Sequence, residues 1–540
     1  MTRLGRAILS IAFVFAFPAW AQSPSAPVEQ QRARPDENDI VVTAQQNWKW
    51  SKWVRSESPN FTVYGSNEAE VRQMTVKLER FDQLLRLLTR SQATEPTNPL
   101  SIYLVLGTNE IERLRRQPAG TGTLFTGYYS ASPTGMLAAA DMRLDRRSNQ
   151  IPRYQDVWLF TEYCRHFLRQ SGRSGYLPTW YVDGLSLNLS TTILGENSVE
   201  YGRAHPSLAN KLELQRWEPI ERIIDGRLDA GQLYSAESSL LVHFILAEPA
   251  RRKAFDRFLA SVRGGVEPVA AFEGAFGISM KKLQSQLWRY RETATYVRAS
   301  TSGFIVPEIT VSRLPRSADA LLLDQAAMRI GIPETDRQHA VLRRAEKAAA
   351  DRGDPFAQRV LVQAQILYGA PEQADAALDT LLQSAPADAE LLYFKGLRHL
   401  MIARRDDAQA SVELREARKW FARAFRSNPD YYPALYAWAE SLWNEPRFVS
   451  DNTRDVLLKA AFLAPQATQI QVSAAILLMI EGRYEAGEAL LQAITVTPRD
   501  PASEQVPALL KRARARDRID RSELLASFRY VTTWKDLNCC

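Results

Sequence analysis

The apolar residues follow two rhythms, and the change from one to the other divides the chain. Phe61-Thr62-Val63-Tyr64 alternates between Pro59 and Gly65, which predicts a strand. From Glu68 to Thr89 the spacing lengthens. Val71, Met74, Leu78, Phe81, Leu84, Leu85 and Leu88 recur as on one face of a helix. Leu100–Leu106 is predicted as a second strand, ended by Gly107, and Met136–Arg143, after Pro133 and Gly135, as a third. Helical spacing returns over Asp156–Arg169 and Trp180–Thr192 and continues to about Arg291. A last strand-like piece, Phe304–Val311, leads to a boundary at Leu314-Pro315. Residues 47–314 are therefore expected to form an α+β domain.

Beyond residue 317 the strand signals vanish, Ala becomes abundant, and helix-length segments recur between prolines. Pro386, Pro429, Pro465 and Pro498 stand 43, 36 and 33 residues apart. Repeats of ~34 residues are the mark of a helix-pair solenoid. Counting back from Pro498, small or groove-filling residues fall at Ala493, Leu490, Ala486 and Ala474, and Pro429 gives Ala424, Phe421 and Ala417. Residues 317–510 thus resemble tetratricopeptide repeats, and the resemblance implies a protein or peptide partner on the concave face. The longest interval implies an insertion around Arg404–Ser411. The rest, 511–540, reads as a basic tail, and its Lys511–Arg521 run, broken by Ala and Asp, as a solvated helix face.

The start of the chain carries a different signal. Arg3 and Arg6 precede the apolar run Ile8–Phe17, which ends in Pro18 and Ala19-Trp20-Ala21. This order is that of a secretory signal peptide over 1–21, with cleavage after Ala21. Gln22–Gln46 is rich in Pro, Gln and Ser and reads as a flexible leader. No later stretch is apolar enough to cross a bilayer. The expected product is exported, periplasmic or secreted.

Composition narrows the chemistry. With 540 residues, 45% hydrophobic and 24% charged, the chain is globular and multi-domain. A net charge of +7 is too dilute for a nucleic-acid partner. Three cysteines exclude a disulfide scaffold, and five histidines leave few neutral metal ligands.

One constellation points to a reaction. Phe160–Phe167 reads FTEYCRHF, and Leu177–Thr191 reads LPTWYVDGLSLNLST. The pair resembles the gluzincin metallopeptidases, nearest to exported bacterial peptidase-MA-like domains with H-E-Y-x-H-H-F followed by P-x-W-[YF]-V-E-G. The resemblance extends over Trp53 to Tyr64, Tyr234 to Leu246 and Ala271 to Gly277. It implies an α+β gluzincin-like fold and a zinc site of two His one helical turn apart, a Glu base between them and a carboxylate from the next helix. Carried over residue by residue, Glu162 keeps the base position, while Thr161 and Arg165 stand where the two His belong. Asp183 takes the third-ligand position, one methylene short. A full ligand set supplies ~10 kcal/mol or more of zinc binding. A carboxylate, a hydroxyl and a permanent cation cannot, so no cofactor is expected. Arg165 is instead expected to reach Asp183 or Glu162. The alternative is a zinc hydrolase with rearranged ligands, Glu162, His166 and Asp183, since 162 and 166 lie one turn apart.

Other candidates are weaker. His243 sits on an apolar helical run and His205 in a loop before Pro206. Cys164 lies mid-helix without a base, and Cys539 and Cys540 are adjacent at the terminus, open to an intermolecular disulfide or to free thiols. Asn60 and Asn188 begin glycosylation sequons. The composite expectation is an inactive peptidase-like domain joined to an all-α helix-pair solenoid, acting by binding.

Overall fold

The computed structural model describes residues 50–529, apart from 92–97, 116–126, 144–152, 172–176, 227–232, 306, 352, 443, 444, 446, 447 and 495–500. The segments expected to be a signal peptide (1–21) and a flexible leader (22–46), and Cys539 and Cys540, lie outside the described residues. The protein is α+β, with a mixed sheet built first and helices following it.

Six strands form the sheet: β1 (Trp50–Glu57), β2 (Phe61–Gly65), β3 (Leu100–Val105), β4 (Gly127–Ser132), β5 (Gly135–Asp141) and β9 (Thr310–Pro315), in the order β4-β5-β3-β2-β1-β9. β2–β3 and β3–β5 pair in parallel, and β1–β2, β4–β5 and β1–β9 antiparallel. A second sheet holds β6 (Ile193–Leu194), β7 (Ser198–Tyr201) and β8 (Val297–Ser300). The strand expected over 304–311 sits later, at Thr310–Pro315. Leu314 turns into the core, and Pro315 ends the strand at the sheet edge, opposite Trp50, a position where proline is tolerated.

Alternation along the strands gives the large sheet two apolar faces. Phe61, Val63, Ile102, Leu104, Ala138 and Ala140 face one way. They meet α1 (Glu68–Thr89), capped by the Asn67 side chain, together with α3 (Tyr154–Ser171) and α4 (Thr179–Ser190). Helices α5 to α10 (Pro206–Leu214, Ile220–Ile224, Tyr234–Ala247, Pro249–Arg263, Pro268–Phe276 and Met280–Tyr290) extend the same core. Trp53, Tyr103, Val105, Leu137 and Ala139 face the other way. They are covered by α2 (Thr108–Leu114) and by α11 (Ala318–Ile330) through Ala318, Leu322, Leu323, Ala326 and Ile330. The change of composition at residue 317 is therefore not a break in the core, because the first helix beyond it is a layer of the sheet domain.

From α11 onward the described residues are helical. α12 (Thr335–Ala348), α13 (Pro355–Tyr368), α14 (Asp375–Ser384), α15 (Ala389–Arg405), α16 (Asp407–Ser427), α17 (Tyr432–Glu440), α18 (Asp451–Leu463), α19 (Thr468–Ile480) and α20 (Tyr484–Gln492) succeed one another, with contacts between chain neighbours throughout. Asp354, Asp388, Asp406 and Ser450 cap helix starts with their side chains. Phe421 fills the space left by Gly396, where a Cβ would come within 2.5 Å of the ring. Near Pro498 the buried residues are Gly487 and Leu491, one later than Ala486 and Leu490. The extra residues around Arg404–Ser411 form no loop. They lengthen α15 and α16, which are separated only by Asp406. The basic run after residue 510 is likewise built in. α21 (Val506–Ala515) and α22 (Arg521–Arg529) bury Leu509, Ala513, Leu524 and Phe528, while Arg514 and Arg516 pair with Glu488 and Glu485. Among the described residues no helix is long and apolar enough to cross a membrane.

The helical part also touches the sheet through polar groups. Arg329, at the end of α11, donates to Glu390 at 2.6 Å, and Arg359 donates to Glu390 at 2.8 Å and to Asp388 at 2.6 Å. Burial alone would raise the Glu390 carboxyl, but the two guanidiniums hold it below its ordinary value. The β4–β5 turn lies on the same junction: Ser132 Oγ donates to the Arg329 carbonyl and Tyr432 OH to the Ser132 carbonyl. Glu390→Gln should therefore lower unfolding stability by about 2–3 kcal/mol in urea titrations, somewhat under the cost of breaking a fully buried pair. A change below ~0.5 kcal/mol would show that the junction does not rest on this pair.

Candidate functional site

Helix α3 turns Leu159, Phe160, Tyr163, Phe167 and Leu168 into the core and leaves Glu162 and Arg165 on a half-buried side. Thr161 is buried and donates its hydroxyl to the Val157 carbonyl within its own helix. The facing helix is α4, whose Gly184 allows a close crossing with α7 (Tyr234–Ala247). A Cβ at 184 would come within 2.3 Å of the Ser238 carbonyl oxygen. That approach sets Asp183 beside Tyr234.

These elements bring Glu162, Arg165 and Asp183 together. Arg165 Nη1 donates to Glu162 Oε1 at 2.6 Å, and Nε donates to Asp183 Oδ1 at 3.0 Å. Arg165 is expected to reach Asp183 or Glu162, and it makes both contacts at once. Tyr234 OH donates to the other Asp183 oxygen, Oδ2, at 3.2 Å. Burial disfavours the guanidinium charge, yet the two carboxylates outweigh it and hold Arg165 above its ordinary pKa. Burial, and then the Asp183 charge, push the Tyr234 phenol upward. Tyr234 belongs to the YSAESSLLVHFIL stretch, but nothing in its spacing marked it as a partner of Asp183.

His166 does not join this group. Its Nδ1 is 2.8 Å from Tyr129 OH, its ring packs beside Tyr163, and its carbonyl accepts from Gln466 Nε2. Burial, helped by Arg169, pushes its pKa down to about 3, so the imidazole is neutral. Glu162, His166 and Asp183 are thus divided between two hydrogen-bond sets. Among the described residues, no cluster of three or more His, Cys, Asp or Glu could hold a metal ion. The residues present do not fit a zinc centre, because the guanidinium bridges the two carboxylates that would have to bind it.

The remaining candidates have structural duties. Burial pushes the Cys164 thiol up to about 12, which keeps it protonated and unreactive. His243 bridges Tyr290 OH and the Thr295 carbonyl, and His205 caps α5. The sequon asparagines are buried. Asn60 Nδ2 donates to Glu79, and Asn188 Nδ2 to the Gly184 and Ser239 carbonyls. Sequence reading missed Glu237, one turn along α7 from Tyr234. It is 1% exposed, accepts from the Glu218 N–H through Oε1, and leaves Oε2 without a partner. Burial pushes its carboxyl up to about 7.

No protein-family model, curated protein or solved structure matches the chain.

Arg165→Ala leaves Glu162 and Asp183 facing each other half-buried, so stability should fall by about 1–3 kcal/mol in urea titrations, and an unchanged midpoint would show that the clasp is idle. For Glu237 the folded-state pKa lies above the ordinary 4.5, so the folded protein binds the proton more tightly. Its stabilising contribution is complete below pH ~4.5 and is lost as pH rises to ~7, a decline of about 2–3 kcal/mol. Glu237→Gln should flatten that decline in a pH series of unfolding midpoints; a variant that keeps the full slope would assign it to other groups.

Proposed function

We propose that the chain is an exported binding or scaffold protein of the bacterial envelope, carrying a peptidase-MA-like domain without a working zinc centre. The observation behind this reading is the Arg165 guanidinium lodged between Glu162 and Asp183. In a zinc peptidase the base works on a water that the metal has polarised. Here Glu162 Oε1 meets a guanidinium, which has no acceptor, cannot coordinate water as a Lewis acid and holds its own proton. The retained base position is then a structural carboxylate.

Binding is the role left to the tetratricopeptide-like helices, whose likeness rests on proline spacing and on the seat of Phe421 over Gly396. A protein or peptide partner on their concave face would meet groups not already engaged by the sheet through Glu390, Tyr432 and Gln466. Export rests on the order of Arg3 and Arg6, the apolar run Ile8–Phe17 and Ala19-Trp20-Ala21, with residues 1–21 acting as a signal.

Restoring the ligands tests the peptidase-like reading. Thr161→His with Arg165→His places two imidazoles one helical turn apart beside Asp183, three ligands for one ion. Metal analysis of the purified double variant should give one zinc per chain. The parent protein should carry far less and should leave casein intact. A double variant without zinc would remove the gluzincin-like reading. A parent protein with stoichiometric zinc and casein hydrolysis would replace the binding role with that of a metal-dependent hydrolase.

A further inference from the structure

Helix α22 (Arg521–Arg529) lies against two earlier helices at once, α17 and α19. Phe528, 2% exposed, has its ring centroid 5.1 Å from that of Tyr436 and 6.2 Å from that of Phe448. Leu524, one turn earlier, is buried on the same face. The polar groups between the helices form a directed chain. Ser527 Oγ donates to the Leu524 carbonyl, so it accepts from Ser473 Oγ at 2.8 Å, which in turn accepts from Tyr436 OH at 3.2 Å. Gln469 Nε2 donates at 2.8 Å to the Ser527 carbonyl, one of the last four of α22, which its own helix leaves unsatisfied. At the other end of α22, Arg521 donates to the Glu445 carbonyl at 2.9 Å and lays its guanidinium over the Phe448 ring.

These contacts have the character of a ligand in a groove. Gln469 and Ser473 stand one turn apart on α19, whose positions from Ala474 to Met479 are apolar and buried. A floor that carries an amide and hydroxyls tolerates hydration, whereas a wholly apolar one would have to stay filled. α22 is nine residues long, too short to hold its helix away from this seat. Among its described side chains only Leu524, Ser527 and Phe528 are buried, and it hangs from α21 by Arg516–Asp520. We infer that the face shared by α17 and α19 is a peptide-binding groove with α22 as its resident ligand. The outside partner is a short helical segment presenting Leu-x-x-Ser-Phe, an apolar residue followed three and four positions later by a small hydroxyl and an aromatic. This deepens the binding role proposed above and rests on it. A tethered occupant lowers the apparent affinity for any competitor by the fraction of time the seat is closed. The groups that seat α22 are other than Glu390, Tyr432 and Gln466, which face the sheet.

Fluorescence anisotropy with the dye-bearing peptide amide Ile519–Arg529, added to the full chain, tests the assignment. Phe528→Ala in the full chain loosens the resident helix, so this variant should bind the peptide at least tenfold more tightly than the unaltered chain. A peptide that itself carries Phe528→Ala should bind the variant at least tenfold more weakly. On the unaltered chain, saturating peptide should speed hydrogen–deuterium exchange of residues 525–529 at least tenfold and leave residues 470–479 protected. Equal binding by the two chains, no saturable binding by a folded Phe528→Ala, or peptide that leaves exchange of α22 unchanged would each overturn the proposal. So would a dimer in sedimentation that the peptide dissociates, since a second copy would then be the occupant. If Phe528→Ala fails to fold, the exchange measurement on the unaltered chain still decides it. The zinc and casein measurements do not depend on these outcomes, so the groove and the peptidase-like reading fail separately.

Discussion

A sheet apolar on both faces has to be covered twice, and this requirement organises the molecule. One face is covered by helices from residues 68–290. The other is left to a seven-residue helix, Thr108–Leu114, which is too short to shield Trp53, Tyr103, Val105, Leu137 and Ala139. The cover comes from Ala318–Ile330, supplied by the helical half. Because that helix is fixed by apolar burial, Arg329 at its end is carried to Glu390 and to the β4–β5 turn. Its other neighbour, Thr335–Ala348, is set over Thr108–Leu114. Both polar junctions between sheet and helices are consequences of one apolar contact.

The sequence was legible where one physical signal acted alone. Phe61–Tyr64 alternates between breakers and Leu100–Leu106 is a short apolar run ended by Gly107, and strands lie at Phe61–Gly65 and Leu100–Val105. Pro386, Pro429 and Pro465 each stand two residues past a helix end, at Ser384, Ser427 and Leu463, because proline cannot continue the helix it follows; Pro498 lies outside the described residues. Legibility failed where signals competed. Gly127–Ser132 lacks alternation, and its place at a sheet edge depends on Gly127 approaching Trp158, where a Cβ would fall 2.3 Å from the ring. The long proline interval pointed to an insertion around Arg404–Ser411, and its spacing could not show that the extra residues lengthen two helices, with Asp406 stopping one and capping the next. The change of composition at residue 317 marked the end of strands truthfully. It could not show which apolar face the next helix would cover.

At the Arg165 site the sequence fell short in a different way. Helical periodicity puts residues 161, 162 and 165 on neighbouring positions, and a charged pair there is easily foreseen. The third member needed the crossing at Gly184, and Tyr234 needed the same crossing seen from the other helix. Side-chain charge then does the rest. Two carboxylates at 13% and 19% exposure attract the nearest guanidinium, which forks between them. The same forces turn His166 elsewhere: a neutral, buried imidazole gains more from the Tyr129 hydroxyl than from a crowded ionic group.

The covering of the sheet by residues 318–330 also bears on the order in which the chain can acquire its structure. A polypeptide is made from its first residue onward. At the point where residue 300 has emerged, strand Trp50–Glu57 has one edge unpaired, since its partner Thr310–Pro315 does not yet exist. The Trp53–Ala139 face has no lid at that stage. Such an unfinished intermediate exposes both a strand edge and an apolar plane, the two surfaces on which chains associate wrongly. Pairing residues more than 250 positions apart is slow as well, because a long loop must close before any contact rewards it. The native sheet is therefore a late event in the life of the chain, and the helical half is needed for the sheet half to be finished.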